Sequence, residues 1–457
     1  MTPYRLAALF AALAALTTRA ADYPPVPPPR DAAQLGTGVQ RTMTRLATST
    51  PERRHKVRVL FYGQSITEQS WSKVVADDLR KRFPHADLEI ENRAIGGFAS
   101  QLLVRPAEHD LYPFYPDLLI FHVYGSNKEY EQILKAVRTR TSAEILMQRD
   151  HLTKWPPEPI DQKTDKSAWW DNLMNASLLP ELAKKYNCGL ADVRGGWVDY
   201  LKTHNLQPKA LLKDDVHLND HGNFVMAELV KRHLVYRPDL PKEPWENLVR
   251  TIENPEALKW KDGKLTIEFD GNRVDVLPAA AGQPGLKAAV RIDGKRPSEF
   301  PTAYRITRPS PGPWSPLFVS RVDHDAPLIL EDWTLKVTEV DAPAKTFKYT
   351  VRGSVTGDDG AGASDQPFRS TSGRIKLDPA ALFRGGHPPL PVGYESKWKV
   401  LPMFLDTYDS PTITDPAKEN PITLIQNLPP GKHTLELTSE TPTPPAITAI
   451  RIHRPPM

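Results

Sequence analysis

The sequence predicts two architectures in tandem: an α/β domain built on a parallel sheet, then an all-β sandwich or jelly-roll-like region. Three observations carry this expectation. Between residues 55 and 245, short apolar runs and helix-spaced segments alternate five times, the pattern of a parallel sheet covered on both faces. From residue 246 onward the period becomes two, with Pro/Gly/Asp-rich turns between the runs. The length, 457 residues, exceeds that of one ordinary domain.

The elements follow in order. Residues 21–54 hold a Pro-rich spacer (DYPPVPPPR, 22–30) and a helical stretch over 31–47. Residues 57–62 (VRVLFY) end at Gly63 and read as a first strand buried on both faces. Helical spacing over 71–83, a short strand at 88–90, a strongly apolar strand at 118–124 and a helix at 129–140 come next. A fourth strand at 144–147 precedes a mostly helical stretch, 168–186, which Pro180 should kink or interrupt. A fifth strand at 190–193 and helices at 197–204 and 220–234 complete the α/β set. Beyond it, KLTIEFDG (264–271) alternates Leu265, Ile267 and Phe269 inward, and WTLKVTEV, FKYTV, GRIKL, HTLEL and ITAIRIH repeat the pattern. This is one or two β modules over 246–457, with 353–364 (GSVTGDDGAGAS) expected as a mobile loop.

Composition narrows the classes. A hydrophobic fraction of 40% and a charged fraction of 25% are those of a soluble globular protein. Residues 1–20 combine Arg5, an apolar run over 6–16 and small residues at Thr18 and Ala20, the layout of a signal peptide. The run is too short to span a bilayer, and no cysteine follows it as a lipoprotein signal requires. The expectation is a secreted or periplasmic protein without stable membrane insertion after cleavage. Removing residues 1–20 lowers the formal charge from +4 to +2 and leaves no basic run, which argues against nucleic-acid binding. Cys188 is the single cysteine, so no internal disulfide forms, and its place before a strand marks a structural thiol. Oligomeric state is not legible.

Four short blocks carry chemistry: GQSIT (63–67), NRAIGG (92–97), YGSN (124–127) and DDVHLN (214–219). Ser65 follows the first strand, Gly97 the second and Asn127 the third, so all three fall on the carboxyl edge of the sheet, where ligands bind in such folds. A serine hydroxyl needs a base to become a nucleophile. His217 can be that base, and Asp214, three residues earlier, can orient its ring. Ser65 N–H, Gly97 N–H and the Asn127 amide are candidate donors to an oxyanion. Taken alone, Ser65 could be a helix N-cap, Asn127 a cap of the next helix, Gly97 turn chemistry and His217 a loop residue. Asp215 competes with Asp214 for the orienting role, and Asp192 reads as a loop-organising carboxylate. His217 and His221 stand at i, i+4 near Asp220, yet no further ligand pattern completes a metal site. No cofactor is expected. His109, His122 and His151 read as scattered structural histidines. Lys128, Glu129 and Tyr130 could rim the site, and Trp169–Trp170 could offer a stacking surface.

Over about residues 55–237 the chain resembles the SGNH (GDSL-type) hydrolase family. The four residues that name the family fall on Ser65, Gly97, Asn127 and His217, and its catalytic aspartate on Asp214. The resemblance implies a three-layer α/β/α, flavodoxin-like domain and acyl-ester hydrolysis without a metal. Gln64 stands where the family has Asp before the serine, and Lys128 where GTND-like motifs have Asp. NLPPGKHTLEL (427–437) resembles the sheet ends of β-sandwich modules fused to this family. With the export signal and the lack of a long apolar lid, the expectation is a secreted ester hydrolase. It would remove acyl, above all acetyl, groups from a carbohydrate. Two readings compete: a broad esterase or lysophospholipase on small or lipid acyl esters, and a non-catalytic carbohydrate-binding protein.

Overall fold

The computed structural model describes residues 23–242, 248–310, 312–384 and 388–457. The expected signal peptide, residues 1–20, lies outside the described residues. No described helix is long and apolar enough to cross a membrane.

Five strands, β1 (Lys56–Gly63), β2 (Asp87–Asn92), β3 (Leu118–His122), β4 (Glu144–Gln148) and β5 (Gly189–Ala191), pair in parallel in the order β2-β1-β3-β4-β5. This is the flavodoxin-like order, with its topological switch between β1 and β3. Strand alternation builds two cores. Val57, Val59 and Phe61 of β1, with Leu118 and Ile120 of β3, face helices Gln40–Ala47, Ser70–Arg82, Val193–Thr203 and Asp220–Lys231. Leu60, Tyr62, Leu119, Phe121, Ile145 and Met147 face Asn127–Arg140 and Leu179–Lys185 on the other side. Both faces are apolar, which is why these strands read as continuous hydrophobic runs.

Two helical expectations change in detail. Residues 31–47 are not one helix: a 3₁₀ turn, Ala32–Gln34, is separated from Gln40–Ala47. Gly36 and Gly38 take φ of +81° and +75° between them, and a Cβ on Gly38 would lie 2.4 Å from the Gly189 nitrogen. The second piece starts against β4, where Arg41 and Thr42 N–H groups donate to the two Glu144 carboxylate oxygens at 2.9 and 2.7 Å. Over 168–186, Pro180 does not break the rod. Helix Lys166–Leu173 widens into a π turn, Met174–Leu178, and continues as Leu179–Lys185. The wide turn accommodates a ring that gives no N–H and crowds the carbonyl one turn back.

The β region contains two antiparallel units, one nested in the other. Val249–Ile252, Ile447–His453, Arg273–Pro278 and Ile422–Gln426 form one sheet; Lys264–Asp270, Lys432–Ser439, Lys287–Ile292 and Thr407–Asp409 form its partner. Leu265, Ile267, Phe269, Val276, Leu437 and Ile450 fill the space between them. Between Lys287–Ile292 and Thr407–Asp409 the chain leaves this sandwich. Residues 304–402 build a five-stranded sheet with a separate core that includes Trp333, Leu335, Tyr349 and Trp398. The segment 353–364 is not simply a loop. Gly357–Ala363 pairs antiparallel with Thr346–Gly353 as an edge strand, tied down where the buried Asp359 carboxylate accepts from Ser372 N and Oγ at 2.7 and 2.6 Å. Glycine-rich composition hid a strand whose backbone ladder needs no large side chains.

The β region is clamped to the α/β domain at Glu419, which accepts from Arg45 at 2.5 Å, His55 Nδ1 at 2.7 Å and Arg451 at 3.2 Å. Burial alone would raise this carboxyl, but the His55 hydrogen bond and the Arg451 and Arg45 charges hold it well below the usual carboxylate range. Elsewhere burial pushes the imidazoles of His151, His233 and His453 down to about 4. An unfolded histidine titrates near ~6.5. Between these values the unfolded chain takes up protons that the folded chain refuses, so stability rises with pH across that window. The contribution is complete above ~6.5 and disappears as pH falls toward 4. The thermal midpoint is therefore expected to drop steadily from pH 7 to pH 4 in scanning calorimetry; a flat midpoint over that range would contradict the assignment.

Candidate active site

Ser65 opens a single helical turn, Ser65–Glu68, directly after β1, with Gln64 in the cap position. Its hydroxyl does not cap the turn. It lies 2.9 Å from His217 Nε2. His217 Nδ1 is 2.9 Å from Asp214 Oδ2, and Asp214 Oδ1 accepts from the backbone N–H groups of His217 and Val216 at 2.7 and 2.8 Å. Those two backbone bonds, then the imidazole, hold the Asp214 carboxyl well below its ordinary value, so it is an anion at neutral pH. With Nδ1–H given to the carboxylate, Nε2 is the lone pair that faces Ser65. Asp214 rather than its neighbour Asp215 meets the ring.

The loop that carries Asp214 and His217 is held just past His217. Gln69, just past the serine turn, donates from Nε2 to Leu218 O at 2.8 Å and accepts Leu218 N–H at 3.0 Å. Asn219 caps helix Asp220–Lys231 by accepting Gly222 N–H at 2.9 Å. One side chain thus ties the nucleophile's segment to the base's segment. Gln69 went unnoticed in the sequence because it lies outside all four motif blocks.

Three donor groups lie free on the same edge. The Ser65 and Gly97 N–H groups have no acceptor among the described residues. Gly97 is exposed, with φ of +78° and open space where a Cβ would stand. That backbone favours glycine and leaves the amide unshielded. Asn127 is the first residue of helix Asn127–Arg140, with Ser126 in the cap position, and neither its Nδ2 donor nor its buried Oδ1 has a partner among the described residues. Asn127 therefore does not cap the helix. The loops bearing these groups are stitched together. Ile95 N–H donates to Gly63 O at 3.0 Å, Ser100 N–H to Tyr124 O at 3.0 Å, and Ser100 Oγ to Ser126 O at 2.8 Å. Phe98, next to Gly97, packs edge-on against Phe318 and Phe383 of the nested β unit, at centroid distances of 5.1 and 5.6 Å.

The remaining candidates sort by position. Asp192 caps helix Val193–Thr203 and pairs with Arg149 at 3.0 Å, an organising role. His221 accepts from or donates to Tyr200 Oη at 2.7 Å and stacks on Tyr23, away from Ser65. Among the described residues, no cluster of three or more His, Cys, Asp or Glu side chains is placed to hold a metal ion. Lys128 is exposed, Glu129 accepts from Ser126 Oγ, and Tyr130 is a core residue against Phe121, not a rim residue. Cys188 is half-buried beside Arg138 and Tyr186 O, and burial pushes its thiol up, away from reactivity.

His122 and His151 are not scattered. With Gln64, Tyr124, Asp150 and Trp170 they line a cavity of about 220 Å³ whose wall includes both chain neighbours of Ser65 and the residue before His217. His122 ends β3, and Asp150–His151 lies just past β4. The strand-end rule that placed Ser65, Gly97 and Asn127 on one edge would have placed these residues there too. A larger cavity of about 740 Å³ lies elsewhere, between residues 29–40 and the β5 edge, away from the serine.

No protein-family model matches the chain, and no curated protein matches it. Among solved structures, the chain is similar to a two-domain esterase active on acetylated mannans, 14% identical, covering 92% of this chain and 97% of that one at a TM-score of 0.36. It is also similar to an acetylxylan esterase from Geobacillus stearothermophilus, 18% identical, covering 41% of this chain and 97% of that one at a TM-score of 0.34. An acetyl xylan esterase 23% identical covers 38% of this chain and 98% of that one, at a TM-score of 0.32. Likenesses at these scores carry no functional weight. The fold stands on strand order and the site on its distances.

Proposed function

We propose that the protein is a serine ester hydrolase of the SGNH type that removes acyl groups, acetyl above all, from a carbohydrate. The observation that carries the reading is the continuous relay Asp214–His217–Ser65, with 2.9 Å at each side-chain step and a serine hydroxyl engaged in no cap. In the proposed reaction His217 Nε2 takes the Ser65 proton as Oγ attacks the ester carbonyl. The oxyanion is received by Ser65 N–H, Gly97 N–H and the Asn127 amide. Collapse expels the alcohol, which takes the proton from His217, and water then repeats the cycle on the acyl-serine. Asp214 stays ionised throughout and keeps the ring in the productive tautomer.

The substrate class is supported by the cavity beside Ser65, which is small and bordered by imidazole, amide and carboxylate groups. Export belongs to the same proposal and rests on residues 1–20. The test is acetate release from acetylated xylan, mannan and pectin, beside hydrolysis of 4-nitrophenyl esters of increasing chain length. Acetate release with a preference for the shortest nitrophenyl ester is expected. Preference for octanoyl or longer esters would turn the assignment toward lipid esters, and hydrolysis of no ester would sink it.

A further inference from the structure

The oxyanion donor at Gly97 is the least self-supporting part of the site. Its N–H belongs to the peptide between Gly96 and Gly97, and two consecutive glycines leave the direction of that amide wide torsional freedom. Gly97 is exposed, and a Cβ there would meet nothing within 4 Å, so no packing of its own holds it. The residues before it are tied to the serine segment. Asn92 donates from Nδ2 to Thr67 O at 2.7 Å, Ile95 N–H to Gly63 O at 3.0 Å, and Gly96 N–H to Glu68 Oε1 at 2.8 Å. On the far side of Gly97 stands Phe98, which is buried.

The Phe98 ring is held from the nested β unit. A two-stranded antiparallel ribbon pairs Phe318–Val319 with Leu382–Phe383, and Phe318 stands directly opposite Phe383. Residues opposed across an antiparallel pair project to the same face, so the two rings form one clasp. Both meet Phe98 edge-on, at 5.1 and 5.6 Å, the favoured and directional arrangement of aromatic pairs. Phe318 is fully buried and belongs to the α/β core, with Tyr62, Ile95 and Leu103. Two further anchors lie close by in the chain. Arg308 pairs with Asp110 at 2.6 Å and donates from Nη2 to Arg93 O, inside the NRAIGG block, at 3.2 Å. Val322 N–H donates to His109 Nε2 at 3.1 Å. All of these contacts fall on the stretch between β2 and β3, the stretch that carries Gly97.

We propose that the nested β unit, residues 304–402, is a working part of the active site: Phe318 and Phe383 are positioning residues that, through Phe98, aim the Gly97 N–H at the oxyanion. The proposal rests on the serine-hydrolase reading above and adds a role for a unit that the relay itself does not touch. A preorganised donor stabilises the oxyanion only while it points at it, and a misplacement of about 1 Å costs up to about 100-fold in rate. The nested unit thus acts on the chemical step, where a tethered binding module would act on substrate affinity alone.

The experiment compares kcat/KM for 4-nitrophenyl acetate and 4-nitrophenyl thionoacetate, in which sulfur replaces the carbonyl oxygen, in wild type, Phe383→Ala and Phe383→Tyr. Sulfur is a weak hydrogen-bond acceptor, so the thiono ester draws little on the oxyanion donors while it uses Ser65 and His217 in full. Phe383 is 37% exposed, so its truncation opens no sealed core cavity. Should Phe383→Ala fail to fold, Phe383→Leu, which keeps the bulk and loses the ring edge, takes its place. The alanine variant is expected to lose about 10- to 100-fold on the oxygen ester and less than about threefold on the thiono ester. Phe383→Tyr, which keeps the ring, should stay within about threefold of wild type on both. A smaller fraction of active enzyme lowers both esters alike, so equal losses overturn the proposal, and so does an unchanged rate on the oxygen ester. Either result leaves the hydrolase reading intact. A wild type that hydrolyses neither ester, or a Ser65→Ala variant that hydrolyses both as wild type does, overturns the hydrolase reading and the positioning role with it.

Discussion

Ser65→Ala is expected to lower kcat on any ester by about four orders of magnitude or more while leaving the fold intact. The hydroxyl is half-exposed at the start of a one-turn helix, caps nothing, and among the described residues its only side-chain hydrogen bond is to His217. Removing it therefore costs little structure, and circular dichroism and the thermal midpoint should match wild type. Because nucleophile and base act as one unit, His217→Ala should be comparably damaging, and the double variant should be no worse than either single. Additive losses would mean that Ser65 and His217 serve separate steps. Unchanged hydrolysis in Ser65→Ala would remove the site altogether.

Asn127→Ala is expected to lower kcat by about 10²- to 10³-fold, with KM changed by less than about threefold. Two roles are open to an asparagine at the start of a helix, and the geometry separates them. As a cap it would accept a backbone N–H one turn on, and its loss would cost about 1 kcal/mol of stability with little change in rate. The structure places Ser126 in the cap position and gives Asn127 no cap bond. Its Nδ2, the donor of the amide, meets no acceptor among the described residues, and the loop before it is bonded to the Gly97 loop. A donor that engages only when negative charge develops on the substrate acts on kcat and leaves ground-state binding alone. Steady-state kinetics on 4-nitrophenyl acetate decide the matter: a loss confined to the thermal midpoint would assign Asn127 to the helix.

The spread of legibility follows from how local each cause is. The apolar runs of β1, β3 and β4 are visible because strands buried on both faces need hydrophobic residues at nearly every position. The ladder Leu265, Ile267, Phe269 is visible because its sheet has one solvated face. The Asp214–His217 contact spans three residues of one loop, and the serine block follows a strand end. Both are consequences of short-range chain geometry, so the sequence by itself determined which loops meet on the carboxyl edge.

Tertiary structure decided the rest. Nothing in the period-two pattern distinguishes a strand of the outer sandwich from one of the unit nested within it. That division depends on which runs pair across more than a hundred residues, as Thr407–Asp409 does with Lys287–Ile292. Gly36 and Gly38 interrupt a helix because that segment presses on the β5 edge, a contact invisible to local spacing. Gly357–Ala363 is a strand because Thr346–Gly353 offers an unpaired edge, not because its side chains favour one. Gln69 joins the serine segment to Leu218, beside His217, only when the α/β domain folds, and Phe98 seats the Gly97 loop on Phe318 and Phe383 only after the nested β unit docks. The same holds for His122 and His151. Each alone is an ordinary buried histidine, and it is the convergence of β1, β3 and β4 that brings both residues to one cavity beside Ser65. Long-range packing chooses among partners that local chemistry leaves equivalent, and that choice is what a single chain read in order does not contain.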